Sequence, residues 1–118
     1  MVKLKMDNKI IWAEVAESAQ ARTQGLSGRK SLAPNKGLLF IFSTPGYYRF
    51  WMKEMNFPID IVWLDQNWRI VDLTENLSPV SYPQTFTSID PAQYVLELKA
   101  GQSKNLGLKI GDLVKVNN

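Results

Sequence analysis

Five charged side chains interrupt segments that are otherwise apolar: Arg22, Arg29, Lys53, Asp60 and Glu97. A charge kept within apolar sequence either meets a partner inside the fold or faces a ligand. Arginines and a lysine converging on one cleft would hold a carboxylate, sulfate or phosphate, with Asp60 orienting the guanidinium groups for paired hydrogen bonds. The same residues read also as an internal ion network in which Asp60 or Glu97 ties the arginines to a sheet. Either arrangement puts the arginines near Asp60. A third use is a carboxylate pair, Asp60 with Glu97, for a hydrolase or lyase acting on a saccharide. Glycoside cleavage needs separations of about 5 Å for retention or about 6.5–9.5 Å for inversion. No spacing rule brings the two together.

Trp51, Tyr47, Tyr82, Phe86 and Tyr94 lie outside the obvious core strands. Exposed rings on a β surface stack on sugars or bases, and Trp51 with Lys53 two residues on sets a platform beside a cation. The other use of these rings is packing beneath a long loop. Neither Cys nor His occurs in the 118 residues. Their absence removes disulfides, thiol and imidazole catalysis, and Cys/His ligation of zinc, haem or iron–sulfur clusters. Asp65-Gln66-Asn67 and Gly111-Asp112 carry too few oxygens for a calcium loop and read as turns. Leu26-Ser27-Gly28 lacks the strand–turn–helix order of a nucleophile elbow. No cofactor or metal is expected. What remains is carboxylate, lysine, arginine, tyrosine and hydroxyl chemistry, or binding without chemistry.

Nine of the 14 basic residues precede position 60, yet Lys3, Lys5, Lys9, Lys30, Lys36 and Lys53 are spread along the chain. Dispersed charge reads as a solvated face. With a net charge of +3 and no basic stripe, nucleic acid is not an expected partner. A small anion or saccharide is, and an exposed sheet edge leaves a protein partner open. The opening MVKLKMDNKIIW alternates lysine with apolar residues, as a strand does and a signal peptide does not. No apolar run approaches the ~18 residues of a membrane span.

The elements that must position these residues read as follows. Val2, Leu4 and Met6 alternate with Lys3 and Lys5, Asp7-Asn8 turns the chain, and Lys9 to Val15 completes a hairpin. Ser18 caps a short helix over 19–24 that Gly25 stops. Gly37 to Phe42 is apolar on both faces, as in a buried central strand. Tyr48, Phe50 and Met52 alternate with Arg49, Trp51 and Lys53, which share the other face of a further strand. Ile59 to Asp65 and Trp68 to Leu73 make a hairpin around Gln66-Asn67, with Asp60 on the face of Val62 and Leu64 and at least half buried. Residues 75–91, with three prolines, form a long loop of the kind that often carries function. Gln93 to Leu98 is a strand, Ser103 to Leu106 a turn of helix, and Asp112 to Val116 a last strand. One domain over 1–118 follows, all-β, a small sandwich or barrel with one short helix near 18–25.

Several blocks together resemble one family. Arg22-x-x-Gly25-Leu26-x-x-Arg29, Gly37 to Phe42, Phe50-Trp51-Met52-Lys53, Pro58-Ile59-Asp60-Ile61, Tyr94 to Leu98 with Ala100-Gly101, and Gly111-Asp112 follow the order and spacing of the family called domain of unknown function 192. The resemblance covers about residues 22–116. It implies a jelly-roll-like β-sandwich, often found behind an export signal and so extracytoplasmic, and it brings no established activity. Two departures stand out: Ser27 where the family commonly has Met, and Lys53-Glu54-Met55 where it commonly has Lys-Asn-Thr. Glu54 puts a carboxylate beside Lys53, which would weaken an anion site built on that lysine. The reading that gathers these observations is a small non-enzymatic binding or accessory module. Its polar groove, framed by Arg22, Arg29, Lys53, Trp51 and Asp60, lies under the 75–91 loop.

Overall fold

A computed structural model describes residues 1–117. Strand β1 (Val2–Met6) turns through Asp7-Asn8 into β2 (Lys9–Ala16), the two antiparallel as the expected hairpin, with Met6 opposite Lys9 and Val2 opposite Ala13. Ser18 then caps α1 (Ala19–Gln24), its Oγ accepting the Ala21 N–H at 3.1 Å. Gly25 ends the helix at φ 50°, ψ −135°, and donates its N–H to the Ala21 carbonyl. A six-residue helix cannot stand alone, and packing holds it. The chain returns as β3 (Lys36–Gly46), which lies parallel to β2.

The remaining strands are β4 (Phe50–Trp51), β5 (Ile59–Leu64), β6 (Ile70–Leu77), β7 (Thr85–Phe86), β8 (Ala92–Lys99) and β9 (Lys115–Asn117); α2 (Gln102–Asn105) precedes the last. Seven strands form one sheet in the order β6-β5-β8-β3-β2-β1-β9, and β4 pairs with β7 in a separate ribbon. The all-β class with a short helix at 19–24 is what forms, and β3 is central as its two-faced apolar run requires. The sheet keeps two edges, so no closed barrel results. The segment before β9 nonetheless reaches back to the far edge: Ile70 N–H donates to the Asp112 carbonyl at 2.8 Å, and Val114 N–H to the Trp68 carbonyl at 2.9 Å.

Strand alternation sorts the core onto the two faces of this sheet. Leu4, Ile11, Leu39, Val62, Leu64, Leu96 and Leu98 pack on one; Leu38, Phe40, Ile61, Trp63 and Val95, with Leu26, Leu32 and Met52, pack on the other. All six residues of β5 are buried, because both faces are covered there.

Three expectations are corrected. The strand over 48–53 shrinks to Phe50–Trp51, since its partner β7 offers only two residues and a turn at Met52–Met55 with Glu54 at φ 58° ends it. Residues 75–91 are not structureless: β6 runs on to Leu77, a 3-10 turn follows over Pro79–Ser81, and then β7. The last strand starts at Lys115 rather than at 112.

Candidate functional site

The second face of the sheet is not completely filled. A cleft of about 410 Å³ opens where α1 and the chain after it, on one side, and residues 48–55, on the other, stand over β3 and β8. Phe40 and Phe42 of β3 and Glu97 of β8 line its base. Glu97 is paired in register with Leu38 and Ile61, so strand alternation aims its side chain into the apolar layer that contains the cleft. It is 5% exposed. Among the described residues no hydrogen-bond donor engages its carboxyl group, and no buried polar side-chain atom is sealed away without a partner, which leaves the carboxyl facing the cleft. Burial pushes its pKa from the usual 4.5 up to about 8, which favours the protonated form.

Arg22 comes from the last turn of α1. Its Nη1 donates to the carbonyls of Glu17 and Ile41, the latter at 3.1 Å, and its guanidinium lies 4.9 Å from the Phe42 ring. Phe42 in turn stacks on Tyr48, with centroids 3.6 Å apart and planes within 7°. Cation and rings together fasten the helix and residue 48 to β3. Trp51, which also lines the cleft, has the Lys53 Nζ 5.6 Å from its ring centroid and the Tyr82 ring 5.0 Å away. Arg49 also lines the cleft and is exposed. Arg22, Arg49 and Glu97 are its charged or ionisable lining residues besides the phenol of Tyr48.

Of the six residues singled out from sequence, Arg22, Trp51 and Glu97 therefore line one cleft. Lys53 does not line it and instead sets its Nζ over the Trp51 ring. Arg29 turns elsewhere and pairs with Glu14, both partly exposed, although its loop lies against the Lys53 segment: Ser27 Oγ donates to the Lys53 carbonyl and Asn56 to the Arg29 carbonyl. No part of the 75–91 segment lines the cleft.

Asp60 is on the opposite face of the sheet, in register with Leu98, with no arginine or lysine paired to it among the described residues. It is 1% exposed. Oδ1 accepts the Asn76 N–H at 2.9 Å; Oδ2 accepts the N–H groups of Gly101 and Ser103 at 3.0 Å and the Ser103 hydroxyl at 2.9 Å. These bonds tie β5 to β6 and to the start of α2. The Ser103 hydroxyl also lies 2.8 Å from Glu75 Oε2, so its one proton is shared between two acceptors. Asp60 and Glu97, on opposite faces, form no catalytic pair.

Sequence reasoning passed over Arg49, Phe40, Phe42 and Tyr48. For Arg49 the signal existed, since it shares the Trp51 side of the 48–53 alternation. The aromatic base had none, because a buried strand and a strand that floors a cleft carry the same apolar run.

Two crystal structures share this architecture. A protein from Sinorhizobium meliloti, provisionally described as a transcription regulator, is 32% identical, with 98% of this chain and 91% of that chain covered at a TM-score of 0.89. A protein of unknown function from Novosphingobium aromaticivorans is 26% identical, with 97% of this chain and 82% of that chain covered at a TM-score of 0.88. No curated protein matches. A family model matches residues 2–116, almost end to end, and the chain belongs to that family, DUF192, described as Uncharacterized ACR.

Proposed function

We propose that the protein is a small binding module, without catalysis of its own, whose cleft takes a small organic anion carrying a ring. One observation carries the reading: a buried carboxyl group without a hydrogen-bond partner faces a cleft whose other charged side chains are two arginines. A neutral Glu97 can donate a hydrogen bond to an anion, where an ionised one would repel it. Arg49, exposed at the cleft, supplies the charge, and Trp51 with Phe50 supplies apolar surface for a ring. A sugar acid is the simplest molecule that uses all of these groups. Hydrolysis or elimination by paired carboxylates is disfavoured, because among the described residues Glu97 is the one acidic side chain lining the cleft.

Thermal unfolding with glucuronate and with glucose tests this. Glucuronate raises the melting temperature of the wild type by several degrees at millimolar concentration and glucose does not; Arg49→Ala abolishes the shift and Glu97→Gln keeps it. A shift of equal size in Arg49→Ala, or none with glucuronate in the wild type, overturns the proposal.

A further inference from the structure

The lysines that look scattered along the chain fall into rows once the strands are paired. Across β9, β1, β2 and β3 the register sets Asn117 beside Lys3, Lys3 beside Trp12, and Trp12 beside Lys36. A second row sets Lys115 beside Lys5 and Lys5 beside Ile10. The rows are one side-chain repeat apart, about 6.6 Å, with about 4.8 Å between strands. Leu4 and Ile11, between them in sequence, point into the core, so all of these side chains share the outer face. That face is left bare at this end of the sheet: Trp12 is 42% exposed and Ile10 40%. The nearest acid on it, Glu14, is spent on Arg29, and among the described residues no carboxylate pairs with Lys3, Lys5, Lys36 or Lys115. Lys3 Nζ lies 5.9 Å from the Trp12 ring centroid.

We infer that this face binds single-stranded nucleic acid, with Trp12 as the stacking platform and the flanking lysines on successive phosphates. A cation within reach of an exposed indole fits one nucleotide, its phosphate at Lys3 and its base on Trp12. An acidic peptide would satisfy the lysines and leave Trp12 without a stacking partner. A bilayer needs an apolar edge that stands proud enough to enter the headgroups, whereas Trp12 and Ile10 lie in the flat of a sheet among cations. The expectation against nucleic acid rested on the net charge of +3 and on the absence of a basic stripe; strand pairing supplies the stripe on one face while the net charge stays modest.

Fluorescence anisotropy with a labelled oligothymidylate of about twelve nucleotides, at about 50 mM salt, provides the test. Saturable binding is expected, with log K falling against log salt at a slope of about −2 to −3, as three or four lysine contacts on a single strand give. Trp12→Ala weakens binding about tenfold or more while Trp12→Phe keeps most of it, and the Lys3→Glu, Lys5→Glu double variant weakens it further. Melting curves confirm that the variants are folded. Absence of saturable binding overturns the inference. So does equal affinity in folded Trp12→Ala, which would leave only diffuse charge, and so does transfer of the protein from the oligonucleotide to phosphatidylserine vesicles at matched charge.

Discussion

At the scale of single residues, the two buried carboxyl groups have opposite environments and therefore opposite predicted behaviour. Asp60 is surrounded by donors and Glu97 by none. Asp60→Ala leaves the Asn76, Gly101 and Ser103 donors unpaired and should cost about 3–5 kcal/mol in urea unfolding, without altering any ligand shift from the cleft. A loss under about 1 kcal/mol would mean that water replaces the carboxylate freely. Glu97 acts through its proton. Its folded value near 8 lies above the ordinary 4.5, so between those values the folded chain binds more protons than the unfolded one, and stability declines as pH rises through that window. The full decline is on the order of 5 kcal/mol at 1.36 kcal/mol per pKa unit, and Glu97→Gln should flatten it. A wild-type melting temperature that does not fall between about pH 5 and about pH 9 would exclude a neutral Glu97.

At the scale of elements, Gly25 couples the end of α1 to the cleft. Its φ and ψ lie where only glycine rests without strain, and an added Cβ would meet the Phe40 ring at 3.4 Å. Gly25→Ala should cost about 1–3 kcal/mol and weaken glucuronate binding through the displaced wall. Gly107→Ala, also at positive φ but with nothing within 4 Å, should cost about 1 kcal/mol and leave binding unchanged. Equal binding losses in the two variants would show that the wall is not set by Gly25. Local signals of this kind were legible in the sequence. Ser18 and Gly25 bound the helix because capping is a property of a few adjacent residues. Gly37 to Phe42 announces a central strand because both faces are apolar. What was not legible depends on residues distant in the chain. Phe50–Trp51 is short because β7, more than thirty residues on, is short. Asp60 misses the arginines because its register partner is Leu98 while that of Glu97 is Ile61, a one-residue difference that decides the face. Lys3, Trp12, Lys36 and Lys115 become neighbours through pairing across four strands, two of them at opposite ends of the sequence.

For the whole molecule, the same sheet carries its firmest part and its candidate sites in different strands. β5 lies between β6 and β8 with every residue buried, and β8 lies between β5 and β3; opening either breaks two ladders and both halves of the core. β9 is an edge strand of three residues, and the β4–β7 ribbon holds two residue pairs. Amide exchange should therefore be slowest in β5 and β8, at the free energy of global unfolding, and fastest in β4, β7 and β9. The cleft wall at 48–55 belongs to the weakly held set, so a bound ligand has room to raise its protection. Glucuronate should slow exchange over residues 48–55 and around Gly25 and leave β9 as it was. Oligothymidylate should slow the amides of β1 and β9 and leave 48–55 as it was. Protection that rises in both regions with either molecule would mean that the cleft and the lysine face open as one unit, against the separation of elements described above. Protection confined to its own region in each case would make them two independent sites on one sheet, with Arg49→Ala and Trp12→Ala additive in their effects.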